Sequence, residues 1–430
     1  MKYTPIKASL FKKNRNKFNK FLNNSSIAIF NSNDIYPVSA DSILPFQQHR
    51  DIYYLSGLDQ EESILLLFPD ANNPAHREIA FVKETSELIA IWEGEKLTKE
   101  KVTEQSGIET VYWLDDFPKI FAMLMAEATT VYFNTNEHSR ANTITQTRED
   151  RFIEWCKKKY PAHNVAKSNP ILHQLRAIKE PEEIEIIQQA CSITEIGFRK
   201  VLGMIKPGVW EYEIEAELIY EFTKNRADGF AYTPIVASGT NANVLHYIEN
   251  NKQCKAGDVI LMDVAAAYAK YSSDLTRVVP VSGKFTKRQK EVYNALLHVK
   301  AESTNLLTPG LEWKDYNEEV GKLMTSALLD LKLLDKADVK NASKETPAYR
   351  KYFMHGTSHF LGLDTHDYGS QNEPMKANMV VTVEPGIYIP EEKMGFRLED
   401  NVVIQKEGTP LNLMSTIPIE ADEIETLMNQ

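Results

Sequence analysis

The sequence predicts two domains: an α/β domain over residues 1–170, and a second domain over residues 171–430 in which one α/β unit occurs twice about a pseudo-two-fold axis. Three observations lead there. The chain has 430 residues, more than a single hydrophobic core comfortably holds. Residues 1–170 alternate apolar strand-like runs with helical stretches. The later part repeats an ordered pattern of turn, acidic helix, apolar strand and terminal acid.

An apolar fraction of 43% and a charged fraction of 25% are those of an ordinary folded chain. A net charge of -11 argues against a nucleic-acid partner, which calls for a basic face, and suits small neutral or positively charged ligands. The basic start, "MKYTPIKASLFKKNRNKFNKFL", lacks the apolar run of a signal peptide and reads as an amphipathic helix. No run approaches the roughly 18 apolar residues of a membrane span. Cys156, Cys191 and Cys254, odd in number and widely spaced, fit reduced packing thiols and a cytoplasmic location.

In chain order, "SSIAIF", "SILLLF", "EIAFV" and "TVYFN" are the strands expected of the first domain. Prolines and polar residues then cluster in "KKKYPAHNVAKSNPILHQLRAIKEPEE", which places the boundary between about 160 and 180. Pro181, Glu182 and Glu183 open a helix, with Ile184, Ile187, Cys191 and Phe198 at helical spacing.

The repeat lies in the second domain. "IKPGVWEYEIEAEL" (205–218) matches "LTPGLEWKDYNEEV" (307–320), and "KAGDVILMD" (255–263) matches "KANMVVTVE" (376–384). A second acid follows in each half: Asp274 in one, the pair Glu399 and Asp400 in the other. Asp263 and Asp274 are expected on paired strands of one hairpin, with small residues such as Ala265 leaving space beside them. If the halves pack about an axis, four carboxylates converge, and ionised carboxylates held together require a cation.

A lone acid at a strand end is ordinarily a solvated turn residue; a histidine cluster shifts that balance. "HGTSHFLGLDTHD" (355–367) holds three of the ten histidines. His355 and His359, four apart, share a face of either a strand or a helix, and Gly356 with β-branched Thr357 favours the extended form. Imidazole with carboxylates suits Mn, Fe, Co or Zn rather than Mg or Ca. Two acids from each half and one histidine are too many for one tetrahedral zinc, but they suit two ions roughly 3.5 to 4 Å apart sharing a hydroxide, an arrangement for hydrolysis.

These residues resemble the metal-dependent aminopeptidase P and prolidase group of pita-bread peptidases. "HRDIYYLSGLDQEESILLL" and "IWEGEKL" resemble that family's amino-terminal domain. "FAYTPIVASGTNANVLHY", "LMDVAAAYAKYSSDLTR", "HGTSHFLGLDTHD", "TVEPGIYIP" and "FRLEDNVVI" follow its later motifs in order. The resemblance implies an α/β amino-terminal domain followed by an α+β pita-bread (creatinase/aminopeptidase) catalytic domain. It makes Asp263, Asp274, His359, Glu384 and Glu399 the ligands of two divalent ions, manganese foremost and cobalt, zinc or iron as alternatives, with Asp274 and Glu399 bridging. Glu384 is then the proton acceptor as a metal-bridged hydroxide attacks, while His246, His355 and His366 bind the substrate carbonyl or help protonate the departing nitrogen.

Arg397, two residues before Glu399, shares its strand face and can hold an acid in place; Asp400 has the opposite parity and points away. Pro385 ends the strand behind Glu384 and fixes that carboxylate's direction. The family more often carries glycine where Ala265 stands, which matters most if the backbone there is left-handed. The implied activity is that of an Xaa-Pro aminopeptidase, acting on peptides with proline at the second position, in a homo-oligomer (dimer or tetramer) and without nucleic acid or membrane as partner. The alternatives are a prolidase, confined to Xaa-Pro dipeptides, and a metal-free pita-bread binding protein.

Overall fold

The computed structural model describes residues 3–138, 140–141 and 143–430, and divides into one unit of Thr4–Leu175 and another of Arg176–Gln430 together with Tyr3. The division falls within the helix Asn169–Ala177.

In the first unit six strands form one mixed sheet, in the order Thr110–Trp113, Glu78–Val82, Ile64–Leu67, Ser26–Asn31, Thr130–Phe133, Asn164–Lys167. Its central strand, Ser26–Asn31, is buried on both faces, which is why it reads as a continuous apolar run. Ile27 and Ile29 join a core with Phe117 and Phe121, while Phe30 on the other face meets Phe18 at 5.4 Å between ring centroids. Phe18 belongs to the helix Ala8–Asn19, so the basic start is the amphipathic helix expected of it. Its buried Arg15 is neutralised by Glu78 at 2.8 Å.

The second unit begins with the helix Pro181–Leu202, where Glu183 accepts from the Glu180 backbone N–H at 2.8 Å. Two helices follow Pro-Gly turns, Glu211–Lys224 after Gly208 and Trp313–Asp330 after Gly310. Those glycines have φ of 96° and 91°, a region that L side chains rarely adopt, so the turns match in conformation as well as in sequence.

The strands repeat as well. In the first half Val259–Asp263 pairs antiparallel with Thr276–Pro280, and an inner hairpin, Ala266–Tyr268 with Tyr271–Ser272, lies between them. In the second half Val380–Val383 pairs antiparallel with Asp400–Val403, with Gly386–Ile389 and Met394–Arg397 as the inner hairpin. A bridge between Thr276 and Glu399 joins the two halves, with the Glu399 N–H donating to the Thr276 carbonyl at 3.1 Å.

One expectation changes here. Asp263 and Asp274 do not share one compact hairpin. The inner hairpin turns away into a separate sheet with Gly229–Phe230, and Asp274 precedes the returning strand by two residues. Its tight turn is made by Ala269 and Lys270, both left-handed, the geometry of a two-residue hairpin loop. Ala265 is not left-handed, so the methyl that distinguishes it from glycine meets no backbone strain.

The histidine segment runs extended along Val380–Val383. The Glu384 and Thr382 N–H groups donate to the Thr357 and His359 carbonyls, and the Leu361 N–H donates to the Val380 carbonyl, at 2.8, 2.9 and 3.0 Å. The segment falls short of a regular strand because the His359 N–H goes to the Thr382 hydroxyl at 3.2 Å instead of to a carbonyl.

Candidate metal centre

Each half delivers acids where its outer strands end. Asp263 closes Val259–Asp263, and Glu384 follows Val383 at the Pro385 break. Asp274 and Glu399 stand just before the returning strands. With the two halves bridged at Thr276 and Glu399, these ends meet.

One ligand atom from each of Asp274, His359 and Glu399 lies within 4.8 Å of the others. His359 Nε2 is 3.5 Å from Asp274 Oδ2 and 3.7 Å from Glu384 Oε1. The other ring nitrogen fixes the tautomer: His359 Nδ1 lies 2.9 Å from the Phe360 carbonyl, which can only accept. Nδ1 therefore carries the hydrogen, and the Nε2 lone pair faces the acids, as in a metal-binding imidazole.

Burial and mutual repulsion show in the protonation equilibria. Burial is the largest cause raising Glu384, to about 7, with Asp274 and Asp263 adding to it against His359 and Arg397. Burial also raises Asp274, and raises Glu399 well above the carboxylate range with help from Asp274, Glu384 and Asp263. Burial alone would lower His359, but Asp274 and Glu384 raise it.

Arg397 is the cation among these groups. Its Nη2 donates to Asp263 Oδ2 at 2.6 Å, Nη1 to the Tyr388 hydroxyl at 2.8 Å and Nε to Thr276 Oγ1 at 3.2 Å. Thr276 passes its own hydroxyl hydrogen to Glu399 Oε2 at 2.7 Å. The acid that Arg397 holds is thus Asp263 of the other half, rather than its strand neighbour Glu399. Asp400 points away, as its parity predicts, to Arg277 at 2.6 Å and to Lys300.

His355 is lowered to about 4, by burial first and the Arg397 charge second. It is therefore neutral, with Nδ1–H donating to the Gly356 carbonyl and Nε2 accepting from the Tyr388 hydroxyl, both at 2.8 Å. His366 lies with its ring 4.3 Å from that of His359. His246 is exposed, and near enough to His355 for its charge to bear on it. The structure thus brings Asp263, Asp274, His359, Glu384, Glu399 and Arg397 into one cluster, with the other three histidines around it.

Three further side chains were not anticipated. Thr276 stands two residues after Asp274, a spacing that signals a shared face. Tyr388 gave no signal, since a phenol in an apolar strand reads as core. Tyr232, within "FAYTP", encloses its hydroxyl beside Asp263 and Asp274.

The donors fit a divalent transition metal. Four carboxylates face one another with one arginine, and Asp263 Oδ1 is buried without a hydrogen-bond donor. Such an oxygen is costly to leave unpaired and is satisfied by a cation. Four carboxylates with one imidazole match Mn, Fe, Co or Zn.

Comparison with known proteins agrees with this chemistry. Residues 185–406 match the model for metallopeptidase family M24, and residues 11–132 match that for the aminopeptidase P N-terminal domain. The chain is 34% identical to an Xaa-Pro aminopeptidase of Haemophilus influenzae over 90% of each chain. It is 33% identical to an Xaa-Pro aminopeptidase of Escherichia coli, covering 91% of this chain and 90% of that one. Among solved structures, zinc-substituted Escherichia coli aminopeptidase P in complex with product superposes with a TM-score of 0.88, at 29% identity and 99% coverage of both chains.

Proposed function

The chain belongs to metallopeptidase family M24, and from that premise we propose that it is an Xaa-Pro aminopeptidase, hydrolysing the bond between an N-terminal residue and a following proline. The observation that carries this reading is the enclosed group of four carboxylates and one imidazole, compensated among the described residues by Arg397. Asp263, Asp274, His359, Glu384 and Glu399 would hold two divalent ions. Bound there, the ions supply Lewis-acid polarisation of the scissile carbonyl and acidify water at neutral pH.

The remaining work falls to the chain's own groups. Glu384, whose Oε1 lies 3.7 Å from His359 Nε2, is the carboxylate placed to accept a proton there. Arg397 and Thr276 orient Asp263 and Glu399. Neutral His355 with Tyr388, together with His246 and His366, borders the place of the scissile bond. From there the imidazole N–H groups of His246 and His366 can bind the carbonyl oxygen and return a proton to the departing proline nitrogen, with His355 and Tyr388 shaping the wall beside them. That nitrogen carries no hydrogen in the substrate, so the returned proton is needed for its release as an amine.

Manganese is the metal we favour, on the oxygen-rich donor set. A cytoplasmic location is supported by three free, buried cysteines, and we assign a homo-oligomer, dimer or tetramer, as the working state. Among the described residues no helix is long and apolar enough to cross a membrane.

The test is hydrolysis of an Xaa-Pro-Xaa tripeptide beside an Xaa-Pro dipeptide, with chelator and after adding back Mn, Co or Zn. Release of the first residue from the tripeptide, abolished by chelator and restored by metal, is the expected result. Cleavage of the dipeptide alone would reassign the protein as a prolidase, and chelator-insensitive cleavage would end the metal mechanism.

A further inference from the structure

One buried carboxylate holds the loop that carries His246. Glu211 is the first residue of the helix Glu211–Lys224 and is fully buried. Its Oε1 accepts from the Ser238 backbone N–H at 2.8 Å, the Ser238 hydroxyl at 2.7 Å and the Asn241 side-chain amide at 3.2 Å. Its Oε2 accepts from the Tyr247 hydroxyl at 2.8 Å and the Lys252 backbone N–H at 2.9 Å. A carboxylate has about four lone-pair sites, so these donors saturate it. All of them come from residues 238–252, and His246 lies between Asn241 and Tyr247.

The helix itself does not require this arrangement. An acid in a first turn ordinarily answers the helix's own free N–H groups, as Glu213 does by accepting from the Trp210 N–H at 2.7 Å. Glu211 instead points into the protein. The other side of the loop is fixed by close approach: a Cβ on Gly395 would lie 2.2 Å from the Ala242 carbonyl oxygen, so only glycine lets the loop settle on the strand Met394–Arg397. The loop is thereby held between Glu211 and the strand that carries Arg397. Burial and the Glu211 carboxylate push the Tyr247 phenol up to about 12, which keeps it a donor at any working pH.

We propose that Glu211 is a positioning residue for His246, holding the loop 238–252 so that the imidazole stays beside His355 at the substrate-binding face of the metal centre. This rests on the reading of His246 as a substrate-binding group. A glutamine at this position turns one acceptor into a donor that faces donors, loosening the loop while the helix remains.

The experiment uses the full chain with Glu211→Gln, Tyr247→Phe, His246→Ala and the double variant Glu211→Gln/His246→Ala. In the wild-type background Glu211→Gln is expected to lower kcat/KM on the order of 10- to 100-fold, the cost of a misplaced group. In the His246→Ala background its cost is expected to shrink to less than about 3-fold, because residues that act through one another are not additive. Tyr247→Phe removes one donor to Glu211 and the acceptor of the Asn251 N–H, leaves the Ser238 and Lys252 backbone bonds to Glu211, and carries the same comparison if Glu211→Gln does not fold.

A second readout is independent of activity. In NMR of the metal-free protein, the imidazole C2–H signal that His246→Ala deletes is expected to move in Glu211→Gln, while the signal of surface His298 stays. Equal losses in both backgrounds, or an unmoved His246 signal, would overturn the proposal. Full activity in His246→Ala would instead remove its premise, and the NMR shift would still report whether Glu211 holds the loop.

Discussion

Arg397 Nη2 donates to Asp263 Oδ2 at 2.6 Å, joining residues 134 positions apart and from opposite halves of the duplicated unit. The same guanidinium reaches Tyr388 and Thr276, so three elements of the site are set by one planar cation. Lysine cannot reproduce that fork of donors. Arg397→Lys is therefore expected to weaken metal binding or kcat/KM by about 10- to 100-fold, the usual range for groups that orient metal ligands. Metal titration by calorimetry and steady-state kinetics on the purified variant would show it; unchanged values would mean that Asp263 needs no such support.

The raised carboxylates predict an unusual pH dependence for the metal-free protein. A group whose folded pKa lies above its unfolded value adds stability below the unfolded value and loses it as pH rises through the folded one. For Glu384 that window runs from 4.5 to about 7, worth on the order of 3 kcal/mol. Asp274, Glu399 and His359 are raised too and act in the same direction. Asp367 and Asp400 are lowered and act only as pH falls below 3.8, outside this range, whereas His355, lowered to about 4, adds stability as pH rises to 6.5 and offsets part of the carboxylate loss up to that point. The metal-free melting temperature should thus fall between pH 5 and pH 8. Metal, which binds the ionised acids, should raise it far more at pH 8 than at pH 5. Glu149 and Glu183, also raised to about 7 away from the centre, leave a residual slope that metal does not remove. A metal-induced gain equal at both pH values would contradict this account.

Asp367 follows His366 and is buried between Arg176 at 2.5 Å and Lys179 at 3.1 Å. Asp367→Asn keeps the shape but removes the ion-pair partner of buried Lys179 and leaves buried Arg176 with only the more exposed Asp364 at 2.7 Å. Removing one partner of a buried ion pair costs about 3 to 5 kcal/mol, so the urea midpoint should drop accordingly. Because the same side chain anchors the backbone beside His366, kcat should fall as well, even where the variant is fully folded. A stability loss with kcat intact would confine Asp367 to a structural role.

What could be read from the sequence follows from physical context. "SSIAIF" and "SILLLF" were legible as strands because burial on both faces makes them continuously apolar. Thr110–Trp113 at one sheet edge is only partly buried, Asn164–Lys167 at the other is largely exposed, and neither is enclosed on both faces. The acids were legible because a break follows each apolar run, and Asp400 was separated from Glu399 by parity alone. The contacts between halves were not legible. Nothing near Arg397 in sequence names Asp263 as its partner, and Glu211 reads as one more acid in a glutamate-rich helix. Its burial appears only when the loop 238–252 folds over it.

Ala265 offers the last test, on the stretch between Asp263 and Asp274. Its side chain is fully buried and its backbone is not left-handed, so glycine would relieve no strain there. The methyl is accommodated, and replacing it by glycine mainly adds freedom to the unfolded chain, about 0.4 to 1 kcal/mol of destabilisation. Ala265→Gly should therefore lower the melting temperature slightly and leave kcat/KM within about 2-fold of wild type, since Asp263 and Glu399 are oriented by Arg397 and Thr276 rather than by residue 265. A large gain in activity would show instead that the methyl crowds the site, and that the chain works below the capacity of its own metal centre.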